Sequence, residues 1–118
     1  MKSERGFTLI ELLVVIAIMA VLFGTAALAL NNVGQNAKQE TAKAEADIVQ
    51  TAIDVYMAIS SSGAIPASTN CEIAGDGDDS FDVYLRHQTR FYIGWDSAGD
   101  VITASEATDC SSPLWTKP

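Results

Sequence analysis

The chain opens into an unbroken apolar run. From Leu12 to Leu30 the only polar side chain is Thr25, and a run of that length is about what a helix needs to cross a bilayer. Beyond Leu30 the pattern changes but does not break. Val33, Ala37, Thr41, Ala44, Ile48, Ala52, Val55 and Ile59 recur at steps of three and four, the period of one helix face. Lys38, Glu40, Lys43, Glu45, Asp47, Gln50 and Asp54 fall between them and suit a solvated face. Ser60-Ser61-Ser62-Gly63 is a stop signal, with Pro66 shortly after. The pattern predicts one helix from about Phe7 to about Ser60, roughly 80 Å long. A small globular domain is far shorter, so the N-terminal half needs a partner in lipid or in other subunits.

The remainder predicts a small β-rich head. Residues 63–80 are rich in Gly, Ser, Asp and Pro and read as a loop. Phe81, Val83 and Leu85 alternate, as do Phe91, Ile93 and Trp95, and Asp100 to Ala104 forms a third short run. Asp96-Ser97-Ala98-Gly99 is a turn signal between the second and third runs. Those two should form a hairpin, with the first run antiparallel beside them. One face of this sheet should cover Ile48, Val55 and Ile59. The expected fold is α+β: a long N-terminal helix, membrane-spanning in its first half, packed by its second half on a small antiparallel sheet.

Composition sharpens this picture at three points. The chain has 118 residues, enough for one domain, but the part outside the apolar run can bury only a small core. Its net charge is −8, which repels nucleic acid and anionic lipid head groups. Direct DNA binding would need Arg86, Arg90 and Lys117 gathered into one patch. The two cysteines, Cys71 and Cys110, would be free thiols in a cytosolic protein; in an exported head they can be joined in only one intramolecular way.

The first residues give the orientation. Lys2 and Arg5 precede the apolar run, and no acidic residue follows that run until Glu40. Positive charge on the short N-terminal side predicts a cytoplasmic N-terminus and an exported C-terminal part. The run is longer than the roughly 7–15 residues of a cleaved secretory signal, so it should be retained. Glu11 is the anomaly inside it. An acidic side chain at the centre of a membrane helix costs about 2.5–3.5 kcal/mol, and less near an end. Either Glu11 sits shallow enough to stay hydrated, or it serves a partner. Cleavage after Gly6 would create one, the new α-amino group of Phe7.

Gly6-Phe7-Thr8-Leu9-Ile10-Glu11-Leu12-Leu13, after a short basic leader, resembles the prepilin peptidase motif of type IV pilins and of the pseudopilins of type II secretion. The resemblance covers residues 1–30. It implies a cut between Gly6 and Phe7, methylation of the new amine, and pairing of Glu11 with the Phe7 amine of a neighbouring subunit. Removing residues 1–6 takes away two bases and one acid, moving the charge from −8 to −9. Together the resemblance and the residue pattern divide the chain into four expected segments: a cleaved leader 1–6, a membrane and filament-core helix 7–30, an amphipathic continuation 31–62 and a small β-rich head 63–118 with one disulfide. Many type IV pilins carry a helix-breaking Pro within the apolar segment; here that stretch reads Ala26-Ala27-Leu28-Ala29-Leu30. Cys71 and Cys110 resemble the C-terminal disulfide that bounds an exposed loop in such pilins.

Little else carries chemistry. Asp76, Asp78 and Asp79 are the residues a hard cation such as calcium would use, but a solvated acidic turn is the simpler reading and no metal is expected. His87 lies in a polar connection with no nucleophile pattern around it, and there is no phosphate-loop or zinc motif. No enzyme and no cofactor is expected. The resemblance implies a structural subunit of a type IV pilus, with a pseudopilin of type II secretion as the alternative and a membrane-anchored extracytoplasmic binding module as a third. It implies as partners other copies of the chain, a prepilin peptidase, the inner-membrane assembly machinery and membrane lipid. The precursor would lie in the inner membrane, and the mature form in a surface pilus or periplasmic pseudopilus.

Overall fold

The computed structural model describes residue 6 and residues 8–118. It comprises a 51-residue helix α1 (Leu9–Ile59), a single 3-10 turn (Asp82–Tyr84), and strands β1 (Tyr92–Trp95), β2 (Val101–Ser105) and β3 (Pro113–Thr116). Two compact units divide the chain, Met1–Asn36 and Ala37–Pro118.

In the first unit the described residues are helical from Leu9 onward and exposed throughout. Leu9, Leu12, Leu13, Ile16, Val21, Leu22 and Phe23 all present their side chains outward. No proline interrupts α1, so each backbone amide beyond the first turn has its partner four residues back. A helix that is apolar all round needs a non-aqueous surrounding or partner helices.

The second unit holds the core. The helix buries Ala42, Ala46, Val49, Ala52 and Ile53 against Phe81, Ile93, Trp95, Val101 and Ala104. The expected stripe is corrected here. Ile48, Val55 and Ile59 are 57%, 37% and 69% exposed, and the buried face lies about 100° round the helix, one residue on. Two features select that face. Its alanines are small enough to be covered by the larger core side chains of the head, and the polar residues flanking it bond to the head. Glu45 accepts the backbone N–H groups of Arg90 (2.9 Å) and Phe91 (3.0 Å). Gln50 accepts from the Val101 N–H (2.8 Å) and donates to the Gly99 carbonyl (2.8 Å). These two were assigned to the solvated face by periodicity, and they are the clasps between helix and head.

The sheet runs in the order β1-β2-β3, antiparallel throughout. The expected hairpin is present, with Ile93 opposite Ala104 and Trp95 opposite Val101. Its turn is held by the Asp96 carboxylate, which accepts the N–H groups of Ala98 and Asp100. Gly99 suits that turn because its φ is 85°, and a side chain there would also have to displace the Met57 thioether.

The third strand is β3, not the Phe81–Leu85 run. Thr103 lies opposite Thr116 and Ala104 opposite Trp115. Phe81–Leu85 instead surrounds the 3-10 turn, because Asp82 is tied into the preceding loop. Its carboxylate accepts the N–H groups of Gly75 (2.7 Å), Gly77 (2.9 Å) and Asp79 (3.1 Å). Phe81 and Asp82 are consequently buried side by side, while Val83 is 79% exposed, so the alternation of a strand is lost. Phe81 meets Trp95 edge to face with centroids 5.1 Å apart, and the Trp95 indole N–H donates to the Pro66 carbonyl.

Cys71 and Cys110 form a disulfide with Cα atoms 5.3 Å apart. It joins the loop after the helix to the segment before β3, across 39 residues. Closing a loop of that size contributes about 3–4 kcal/mol in the chain-entropy model, a large share for so small a core.

Candidate functional site

The N-terminal end of α1 is built around a reciprocal pair. The Thr8 N–H donates to the Glu11 carboxylate (3.2 Å), and the Glu11 N–H donates to the Thr8 hydroxyl (3.2 Å). This is a capping box: two of the helix's first amides, which have no intrahelical acceptor, are satisfied by each other's residue. The next bond, from the Leu12 N–H to the Thr8 carbonyl (3.1 Å), starts the regular ladder. Around Glu11 the surface is apolar, with Ile10, Val14 and Val15 exposed.

Gly6 is exposed. Phe7, on the other side of the expected cut, lies outside the described residues, and so does the amine that Glu11 would meet. What the geometry adds is a local partner for Glu11. Its carboxylate is bonded within its own helix end, at the positive pole of the macrodipole. The spacing Thr8-x-x-Glu11 is the sequence signature of this capping box.

The head has a second cluster. The carboxylates of Asp76, Asp79 and Asp82 offer oxygens within 4.8 Å of one another. Asp78, one of the expected cation ligands, is outside this group, and Asp82, expected in a strand, is inside it. Asp82 spends its acceptor capacity on three backbone amides and so organises the loop. Asp79 has a buried carboxylate oxygen, Oδ2, with no hydrogen-bond partner. Burial first, then the charges of Asp82, Glu72, Asp76 and Asp78, push its carboxyl up to about 6.

The basic residues divide. Lys117 pairs with Asp100 at 3.1 Å. Arg86, His87 and Arg90 instead rim a shallow cavity of about 360 Å³, together with Glu45 and Ile48. Two of the three cations that a polyanion would need are thus neighbours, and the third is engaged elsewhere. His87 is exposed in the same loop.

Residues 1–27 match the family model described as the prokaryotic N-terminal methylation motif. No curated protein and no solved structure matches the chain. The matched motif is a processing and assembly signal, and it implies cutting by a prepilin peptidase and entry into a filament. With its long apolar helix and small disulfide-linked antiparallel head, the chain carries the prepilin signature shared by type IV pilins and pseudopilins on a pilin-like α+β fold.

Proposed function

We propose that the chain is the structural subunit of a type IV pilus, synthesised as an inner-membrane precursor, cut between Gly6 and Phe7, and polymerised through its N-terminal helix. The observation that carries this reading is the apolar N-terminal half of α1, most of it within the methylation-motif match at residues 1–27, with none of its described side chains buried. Lipid can cover that surface before assembly and other copies of the helix can cover it afterwards. The head, residues 63–118, would form the filament exterior. Its role is structural rather than catalytic.

In this reading Glu11 has two successive partners. In the membrane-held subunit it caps its own helix through Thr8. In the filament the Phe7 amine of a neighbour competes for the same carboxylate. Unlike charges attract strongly in a low-dielectric core, but both must lose water, so the pair favours one register more than it adds net stability. The uninterrupted helix, with no proline between Leu9 and Ile59, is equally compatible with a second reading as a pseudopilin, in which the same polymerisation builds a short periplasmic fibre.

Mass spectrometry of assembled protein tests the reading. The expected result is a chain beginning at Phe7 and carrying one added methyl group. An intact Met1 terminus in fibres would refute it. Surface fibres purified by shearing would favour the pilus, and fibres confined to the periplasm the pseudopilus.

A further inference from the structure

Two loops of opposite charge lie side by side in the head. Residues 75–82 carry Asp76, Asp78, Asp79 and Asp82 and no cation, while residues 86–90 carry Arg86, His87 and Arg90 and no acid. Their backbones are stitched together. The Thr89 N–H donates to the Ala74 carbonyl (2.9 Å), and the Ala74 N–H donates to the Thr89 hydroxyl (3.1 Å). Gly75 sits so close to the His87 carbonyl that a side chain there would be crowded at 3.0 Å.

Despite this proximity the charges do not neutralise each other within the chain. Among the described residues the ion pairs are Lys38–Glu106 and Lys117–Asp100. The guanidinium groups of Arg86 and Arg90 belong to neither. Asp76 and Asp78 are exposed, as are Arg86 and Arg90. The cationic loop is nevertheless held in place, because Glu45 clasps the backbone of Arg90 and Phe91 and leaves the guanidinium outside. Beside it Ile48 is 57% exposed and gives the cavity an apolar wall.

We propose that Arg86 and Arg90 of one subunit receive the Asp76–Asp79 loop of a second copy, forming a head-to-head contact along the filament. The inference rests on the filament reading and adds the surface by which heads meet. Three arguments commit it to a second copy. Subunits that have lost residues 1–6 carry a net charge of −9, one below the −8 of the full chain, and repel at filament density unless unlike patches are brought together. Arginine offers its forked donors to carboxylates in pairs, which fixes orientation as well as attraction. And a contact that spends the cationic loop of one copy on the acidic loop of the next leaves each copy its other loop for a further neighbour. Such a contact is heterologous and propagates, as a fibre requires. A nucleic-acid partner fits less well, since the acidic loop borders the cationic one and repels a polyanion.

The test uses the full chain expressed in cells that assemble it, reading the ratio of sheared fibre to membrane-held subunit. Arg86→Glu with Arg90→Glu should lower that ratio at least tenfold, with normal N-terminal cleavage and an intact disulfide. Asp76→Lys with Asp78→Lys should do the same. All four together should restore it to within threefold of wild type. In a second measurement, Arg90→Lys fibres built from isotopically mixed subunits are treated with a carbodiimide. They should give a cross-link between position 90 of one chain and Asp76 or Asp78 of another. Wild-type yield from the double arginine variant, no inter-chain cross-link, or loss of duplex DNA binding as the only effect would each overturn the proposal. Wild-type cells that make no fibre at all would overturn the filament reading along with it.

Discussion

Asp79 is the residue whose environment departs furthest from its sequence expectation. An acidic turn open to water would leave each carboxylate at its ordinary value. Here Asp82 claims the loop's amides, and Asp79 is left with a buried oxygen that nothing donates to. The consequence for stability has a definite sign. The folded pKa, about 6, lies above the ordinary 3.8, so the folded state holds the proton more tightly than the unfolded one. Asp79 therefore contributes no penalty below about pH 3.8 and a growing one as pH rises to about 6, beyond which it is constant. Asp79→Asn should raise the melting temperature at pH 7 and leave it nearly unchanged at pH 4. After discounting for solvent screening, the gain at pH 7 is on the order of 1 kcal/mol. Thermal melts of the full chain in detergent at the two pH values check this. An equal effect at both would mean that shape, not charge, governs the site.

Among the elements, the helix was legible because its signals agree along its whole length: an apolar run, a periodic continuation, no proline, and a stop at Ser60–Gly63. The hairpin was legible because alternation and a turn signal coincide around Asp96–Gly99. The misreadings have a common physical cause. Periodicity weighs side chains by apolarity, whereas the head selected the face with small alanines and two polar clasps. Alternation in Phe81–Leu85 could not reveal that Asp82 would be drawn inward by three amides. Strand β3 begins at Pro113 and is half-exposed, so neither composition nor pattern marks it. The clasps give a prediction at this scale. Gln50→Ala leaves the Val101 N–H and the Gly99 carbonyl without partners in a partly buried turn, a loss of about 1–3 kcal/mol. Asp54→Ala removes only a bond to Gln50 itself and should cost less than half as much. Thermal unfolding followed by the near-UV signal of Trp95 and Trp115 measures both. Equal effects would show that the helix–head junction does not depend on Gln50.

For the whole molecule, the proposed assembly turns on what Glu11 does in passing from a membrane-held subunit to a filament. One carboxylate caps its own helix through Thr8, and the proposed function gives it a second role, pairing with the Phe7 amine of a neighbour. Substitutions can separate them. Glutamine also completes a capping box, so Glu11→Gln keeps the helix start and loses the charge. Glu11→Val loses both, but it removes the desolvation cost of an acid in an apolar segment and should insert in the membrane at least as well. If register is set by the charged pair, Glu11→Gln and Glu11→Val should both be cleaved after Gly6 and fold a disulfide-linked head. Both should fall at least tenfold in the ratio of sheared fibre to membrane-held subunit. If capping is what matters, Glu11→Gln should assemble like wild type while Glu11→Val fails. Adding Thr8→Ala supplies the remaining arm, because it breaks the box and leaves the charge in place. A fibre-forming Thr8→Ala beside a fibreless Glu11→Gln would assign assembly to the ion pair and leave the capping box the narrower task of holding the carboxylate until a neighbour's amine arrives.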